Sequence, residues 1–118
     1  MPLTAAYLAA CRTAILALPE LTTFRNARAI LDTGPRPDRL TAWYAAFAPT
    51  STGQSLAYQL LRAIRNALNA QGDATGNVTL LDRESAYRTF AAEFVPTINK
   101  PAEGAAELNA RKILLGLQ

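Results

Sequence analysis

Carboxylate pairs are the one route to catalysis that this sequence leaves open. Asp82 and Glu84 stand two residues apart, and Glu103 and Glu107 stand four apart. General acid–base chemistry needs two groups of different proton affinity converging on one substrate. Here the spacing predicts something plainer. Asp82 is expected to cap a helix, with Glu84 in its first turn facing the positive end of the helix dipole. Glu103, Glu107 and Arg111 fall on one helix face, as a solvated stripe with an i,i+4 ion pair. There is no histidine and only one cysteine. That removes the commonest general base and metal ligand, every Ser/His/Asp or Cys/His nucleophile, and any cysteine-built zinc site or intrachain disulfide. Neither a GxxxxGK[ST] nor a GxGxxG phosphate loop occurs. The turn Gly72–Asn77 carries oxygen ligands but a single carboxylate, Asp73, too few for calcium. No enzymatic activity, cofactor or metal is expected.

Binding through basic side chains is the second kind of chemistry to weigh. The net charge is +3, and ten of the twelve basic residues are arginine. Arginine forks match phosphate and carboxylate better than lysine does. Arg62 and Arg65 share one side of a helical pattern with Asn66 and Asn69, and Arg25 and Arg28 share the outer side of another. Arg36 and Arg39 flank a turn. Should the two helices stand side by side, they would offer one polar, positive face able to contact phosphates and base edges. The plainer alternative is an ordinary solvated helix surface.

Apolar side chains at helical intervals position all of these groups. Hydrophobic residues make up 50% of the 118-residue chain and charged ones 18%, enough for the core of one domain, residues 1–118. The longest pattern, Ser51 to Gly72, carries Leu56, Leu60, Ile64 and Leu68, widened by Ala57 and Leu61. Ser51 and Gln54 have capping-box spacing, and Gly72 stands where a left-handed C-cap belongs. This helix is expected to be central.

A first helix runs from the cap Thr4 to about Leu18, with Tyr7 or Leu8, Cys11, Ile15 and Leu18 as its stripe. A second opens at Pro19 with Phe24, Ala27, Ile30 and Leu31 inward, and stops at Asp32–Pro35. A third, capped by Asp38, carries Leu40, Trp43, Tyr44 and Phe47, a stripe that suits a core better than a base-stacking platform. Val78–Leu81 is expected to be a short extended piece. A fifth helix follows Asp82 with Tyr87, Phe90, Ala91, Phe94 and Val95, ending at Pro96. A sixth opens at Pro101 with Leu108, Ile113, Leu114, Leu115 and Leu117. Those last four must pack on something, within the chain or on a neighbour. The fold class is all-α, a compact bundle or orthogonal array of about six short helices.

From Arg39 the chain reads RLTAWYAAFAPTSTGQSLAYQLLRAIRNALNAQG. Ala42–Phe47, and Ala57–Ile64 with Asn66, resemble the helical core-binding (SAM-like) domain of tyrosine recombinases and phage integrases. In that family a "WYAAL"-type helix and a Thr/Ser-rich turn precede an "AY.LLRAI.N.A" helix that lies on DNA. The likeness covers residues 39–72. It departs at Gly72–Val78, where the family continues with a "GLI..NP" segment. The family's catalytic domain has no counterpart here, so the likeness implies a DNA-clamping module without strand cleavage.

The expectation is a non-catalytic helical interaction or assembly protein, such as a structural virion or connector component of a bacteriophage or mobile element. The interface candidates are Ile113, Leu114, Leu115 and Leu117. The alternative is a DNA-binding module using Arg25, Arg28, Arg62, Arg65, Asn66 and Asn69. A protein partner or self-association is expected, DNA is possible, and no membrane is expected. Leu8-Ala9-Ala10-Cys11 has the look of a lipoprotein cleavage box, but no Lys or Arg precedes it and its apolar run is short. The expected location is cytoplasmic or virion-associated, not secreted.

Overall fold

The computed structural model describes residues 4–48 and 54–101, apart from the side chains of Arg36 and Pro37. These residues form five α-helices and no strand. They are α1 (Ala5–Leu16), α2 (Pro19–Thr33), α3 (Arg36–Phe47), α4 (Leu56–Thr75) and α5 (Leu80–Phe94). The class is all-α. The sixth helix expected from Pro101 onward, and with it Ile113, Leu114, Leu115 and Leu117, lies outside the described residues.

Helix starts follow whichever hydroxyl can reach a free amide three residues on. The Thr4 hydroxyl accepts from the amide of Tyr7 at 3.1 Å and caps α1 as expected. The cap of α5 is Thr79, not Asp82, because its hydroxyl accepts from the Asp82 amide at 3.1 Å. Asp82 therefore sits in the first turn, and Leu80 and Leu81 are helical rather than extended. The exception is α3, which starts before Asp38 with Pro35 at the cap position and no side-chain cap, leaving Asp38 in the first turn. At α4 the Ser55 hydroxyl accepts from the Tyr58 amide at 3.1 Å; the Ser51 side of the expected capping box lies outside the described residues.

The end of α4 departs most from expectation. Gly72 does not terminate it. The helix runs to Thr75, and Gly76 and Asn77 take positive φ values of 77° and 60°. These two residue types tolerate the left-handed region best. Gly72 is buried inside the helix for another reason: a Cβ there would lie 2.5 Å from Nε of Arg83. The sequence offered two glycines for one stop, and the second makes it.

Contacts gather into two units. One comprises Met1–Leu21 with Leu60–Pro96, the other Thr22–Gln59 with Thr97–Gln118. In the first, Tyr7, Cys11 and Ile15 of α1, Leu60, Ile64 and Leu68 of α4, and Ala86, Phe90 and Phe94 of α5 are buried. Each set repeats every fourth residue, forming a ridge that packs into neighbouring grooves. Each large side chain contributes roughly 1.5–3 kcal/mol by leaving water. The Tyr7 hydroxyl donates to the Leu68 carbonyl at 3.1 Å in this core. Burial pushes the ionisation of Tyr7 and of Cys11 upward, so both stay neutral. Tyr7→Phe should lower stability by about 1 kcal/mol, the usual worth of one buried hydrogen bond, measured by urea denaturation.

In the second unit Phe24 and Leu31 of α2 pack with Leu40, Ala42, Tyr44 and Ala46 of α3 as buried residues. Phe24 meets Phe47 edge to face at 5.7 Å, and Trp43 meets Tyr44 the same way at 5.0 Å. The aromatic stripe belongs to a core, as its spacing implies. The Trp43 indole donates to the Ile98 carbonyl at 2.9 Å. Ile30, expected inside, is 48% exposed. At about 100° per residue it lies a third of a turn from Phe24, off the α2 stripe. Arg28 shows the opposite error: it falls close to the Phe24 direction, and its side chain is only 23% exposed.

Candidate functional site

The residues expected to bind DNA divide between the units. Arg62, Arg65, Asn66 and Asn69 belong to the first; Arg25 and Arg28 belong to the second. On α4 all four are exposed, at spacings that keep them on the side away from Leu60, Ile64 and Leu68.

Their chemistry differs. Nη1 of Arg65 donates to Oε2 of Glu84 at 2.8 Å, and its guanidinium lies over the Tyr87 ring at 3.9 Å. Arg28 stands 3.8 Å from Asp32 in an i,i+4 pair. Asn69 lends its backbone carbonyl to Arg83. Arg62 and Asn66 carry no such tie among the described residues. Phosphate binding by Arg65 would require it to leave a carboxylate and a ring that already satisfy it.

Internal pairing recurs throughout the first unit. Arg12 of α1 makes a forked ion pair with Glu93 of α5, its Nη2 standing 2.7 Å from Oε1. The same guanidinium covers Phe90 and Phe94 at 5.3 and 5.7 Å. The hydrogen bond from Arg65, with Arg88 adding charge, holds Glu84 below the usual carboxylate range; Arg12 does the same to Glu93. A lowered folded-state value means stability present above the ordinary glutamate range and lost as acid protonates the folded pair. We therefore expect a flat urea midpoint from neutrality down to about pH 5 and a fall below about pH 4. The variant Glu84→Gln with Glu93→Gln should lose part of that fall in the same titration.

Apolar groups as well as charged ones are left open to water. Leu80 and Leu81, the first two residues of α5, are each 79% exposed. The core stripe of α5 is Ala86, Phe90 and Phe94. Counting back at 100° per residue puts Leu81 on the opposite side. Nothing local requires two leucines there, since a polar residue would serve a first turn as well or better. Leu16 and Tyr58 are about half exposed. In the second unit Ile30 borders a groove of about 520 Å3 between α2 and α3, lined by Ala27, Gly34, Ala42 and Ala45 with Asp38.

Sequence reading missed Leu80, Leu81 and Ile30. The available signal was Thr79-x-x-Asp82, a capping pattern one turn upstream of the assigned cap. It would have drawn both leucines into the first turn of the helix, with Leu81 opposite its buried stripe.

Among the described residues no group of three or more His, Cys, Asp or Glu side chains could hold a metal ion. No helix there is long and apolar enough to cross a membrane. No family model, no curated protein and no solved structure matches the chain.

Proposed function

We propose that this chain is a non-catalytic interaction and assembly protein. Its helices form a bundle whose exposed apolar side chains dock on protein surfaces. The observation that carries this reading is the pair Leu80 and Leu81, each 79% exposed. Solvent-facing leucines side by side on a rigid helix are a small anchor of the kind that fills a partner's pocket. The internal pairing of Arg12, Arg65 and Arg83 supports it from the other side, because each of these charges already has a carboxylate partner. A structural role in a virion or connector, or in a cytoplasmic complex, accords with a small helical protein of this chemistry.

Replacing both leucines, Leu80→Ser with Leu81→Ser, should leave the helical content unchanged and weaken association about tenfold or more. That corresponds to about 1.4 kcal/mol or above, well within the apolar area of two leucines. Sedimentation velocity and circular dichroism on the same samples check it. Unchanged association in a folded variant would remove the anchor from the proposal.

The second reading, a DNA-binding module resembling an integrase core-binding domain, is favoured by Arg62 and Asn66. They sit one turn apart on the exposed side of α4 without a partner among the described residues. It calls for retention of duplex DNA at low salt, reduced by Arg62→Ala.

A further inference from the structure

The groove between α2 and α3 lies in the second unit, apart from the leucine pair. Its walls are small side chains, Ala27, Ala42 and Ala45 with Gly34 at one end, and Ile30 stands half exposed at the rim. A slot walled by alanine and glycine lets a large side chain reach the backbone, the knob-and-hole relation that seats leucine and isoleucine. Asp38 is the one charged residue in the lining.

We propose that this groove receives the C-terminal apolar run, Ile113–Leu117, of a second copy of the chain, so that copies join head to tail. This rests on the assembly reading above and names its partner.

Three observations single out that occupant. The run Ile113, Leu114, Leu115 and Leu117 supplies large, flexible apolar side chains to a lining that has almost none. It is immediately preceded by Arg111 and Lys112, the charge that complements Asp38. The third is where the chain departs. Trp43 donates to the Ile98 carbonyl and the Lys100 ammonium lies 5.2 Å from the centre of the Tyr44 ring, so residues 98–100 run along the Trp43–Tyr44 side of α3. At 100° per residue, Asp38, Thr41, Ala42 and Ala45 occupy the opposite side of the same helix. The run and the groove are different surfaces, so the contact propagates into a ring or filament, or closes where two copies exchange runs.

Light scattering on the full chain and its variants tests this. Ile30→Arg fills the groove rim with the wrong charge; Ala29→Arg is a second exposed groove variant, and circular dichroism checks that both fold. Leu114→Asp with Leu117→Asp disables the donor. The wild type should exceed the mass of one chain and grow with concentration, and each variant alone, in a Leu80→Ser, Leu81→Ser background, should fall to a single chain. A groove variant mixed with the donor variant, both carrying Leu80→Ser and Leu81→Ser, should give one-to-one pairs and nothing larger, since only one working groove contact remains. Wild-type complexes that survive both variants would overturn the groove and tail while leaving assembly itself intact. A wild type that stays a single chain would overturn both. A binary mixture that stays unpaired would place the run in its own groove, or another protein there, and overturn the exchange between copies.

Discussion

Phe90→Ala is expected to lower the stability of the first unit by about 3–5 kcal/mol, the range for emptying a buried aromatic site. Phe90 is almost fully buried, packs on Phe94 with centroids 6.2 Å apart, and forms half of the surface under the Arg12 guanidinium. Its loss leaves a void beside Phe94 in a core built on helical backbones, which collapse little. It also strips Arg12 of an aromatic seat while leaving Glu93 in place, so the α1–α5 tie keeps its charge and loses its packing. Urea denaturation followed by far-ultraviolet circular dichroism measures the change. A loss under about 1 kcal/mol would mean that the site refills, and that the ridge on α5 is not central to this core.

Arg83→Ala comes next, with an expected loss of about 2–3 kcal/mol. Its side chain is only 16% exposed, and it donates to the Val78 carbonyl at 3.1 Å, the Asn69 carbonyl at 3.4 Å and Asp73 Oδ1 at 3.0 Å. The Asp73 contact contributes least, because that carboxylate is mostly in water. The Val78 carbonyl carries most of the loss, because removing its charged donor leaves a part-buried acceptor short of a partner. Arg83 thereby fastens α5 to the last turns of α4, and Gly72 is glycine to let it do so. The pair has a distinctive coupling. With Arg83 present, Gly72→Ala should destabilise, since the new methyl displaces the guanidinium. With Arg83→Ala present, the same change should stabilise by up to about 1 kcal/mol, the ordinary gain for glycine to alanine inside a helix. A double-mutant cycle reads this reversal of sign directly. Arg83→Lys should recover less than half, since an ammonium cannot reach three acceptors with one planar fork.

The sequence made the helices legible because period-four apolar spacing is a property of one segment at a time. Leu60, Ile64 and Leu68 are buried for the reason their spacing implies, and so are Tyr7, Cys11 and Ile15. Boundaries were less legible where two residues competed for one role. Thr79 and Asp82 both suit an N-cap, and Gly72 and Gly76 both suit a C-cap. The choice between them depends on tertiary contacts, above all on Arg83 lying against Gly72. The arginines illustrate the same limit. Arg62 and Arg65 look alike along the chain, yet only Arg65 meets Glu84 and Tyr87, nineteen or more residues away on another helix. The candidate binding surface was hidden by the assumption that leucines go inside. Leu80 and Leu81 stand in the first turn of α5 and face water, Leu81 on the side opposite the buried stripe.

The central claim is that this protein works by apolar contact with proteins rather than by charge or catalysis. Its mass in solution, measured by light scattering with and without duplex DNA across a series of salt concentrations, tests that most directly. Apolar association is indifferent to DNA and strengthens as an excluded salt such as sulfate is added. DNA binding weakens steeply with salt as condensed ions return to the phosphates. Complexes larger than one chain that ignore DNA and grow with sulfate are the expected result. A single chain that gains mass only with DNA, and loses it as salt rises, would contradict it.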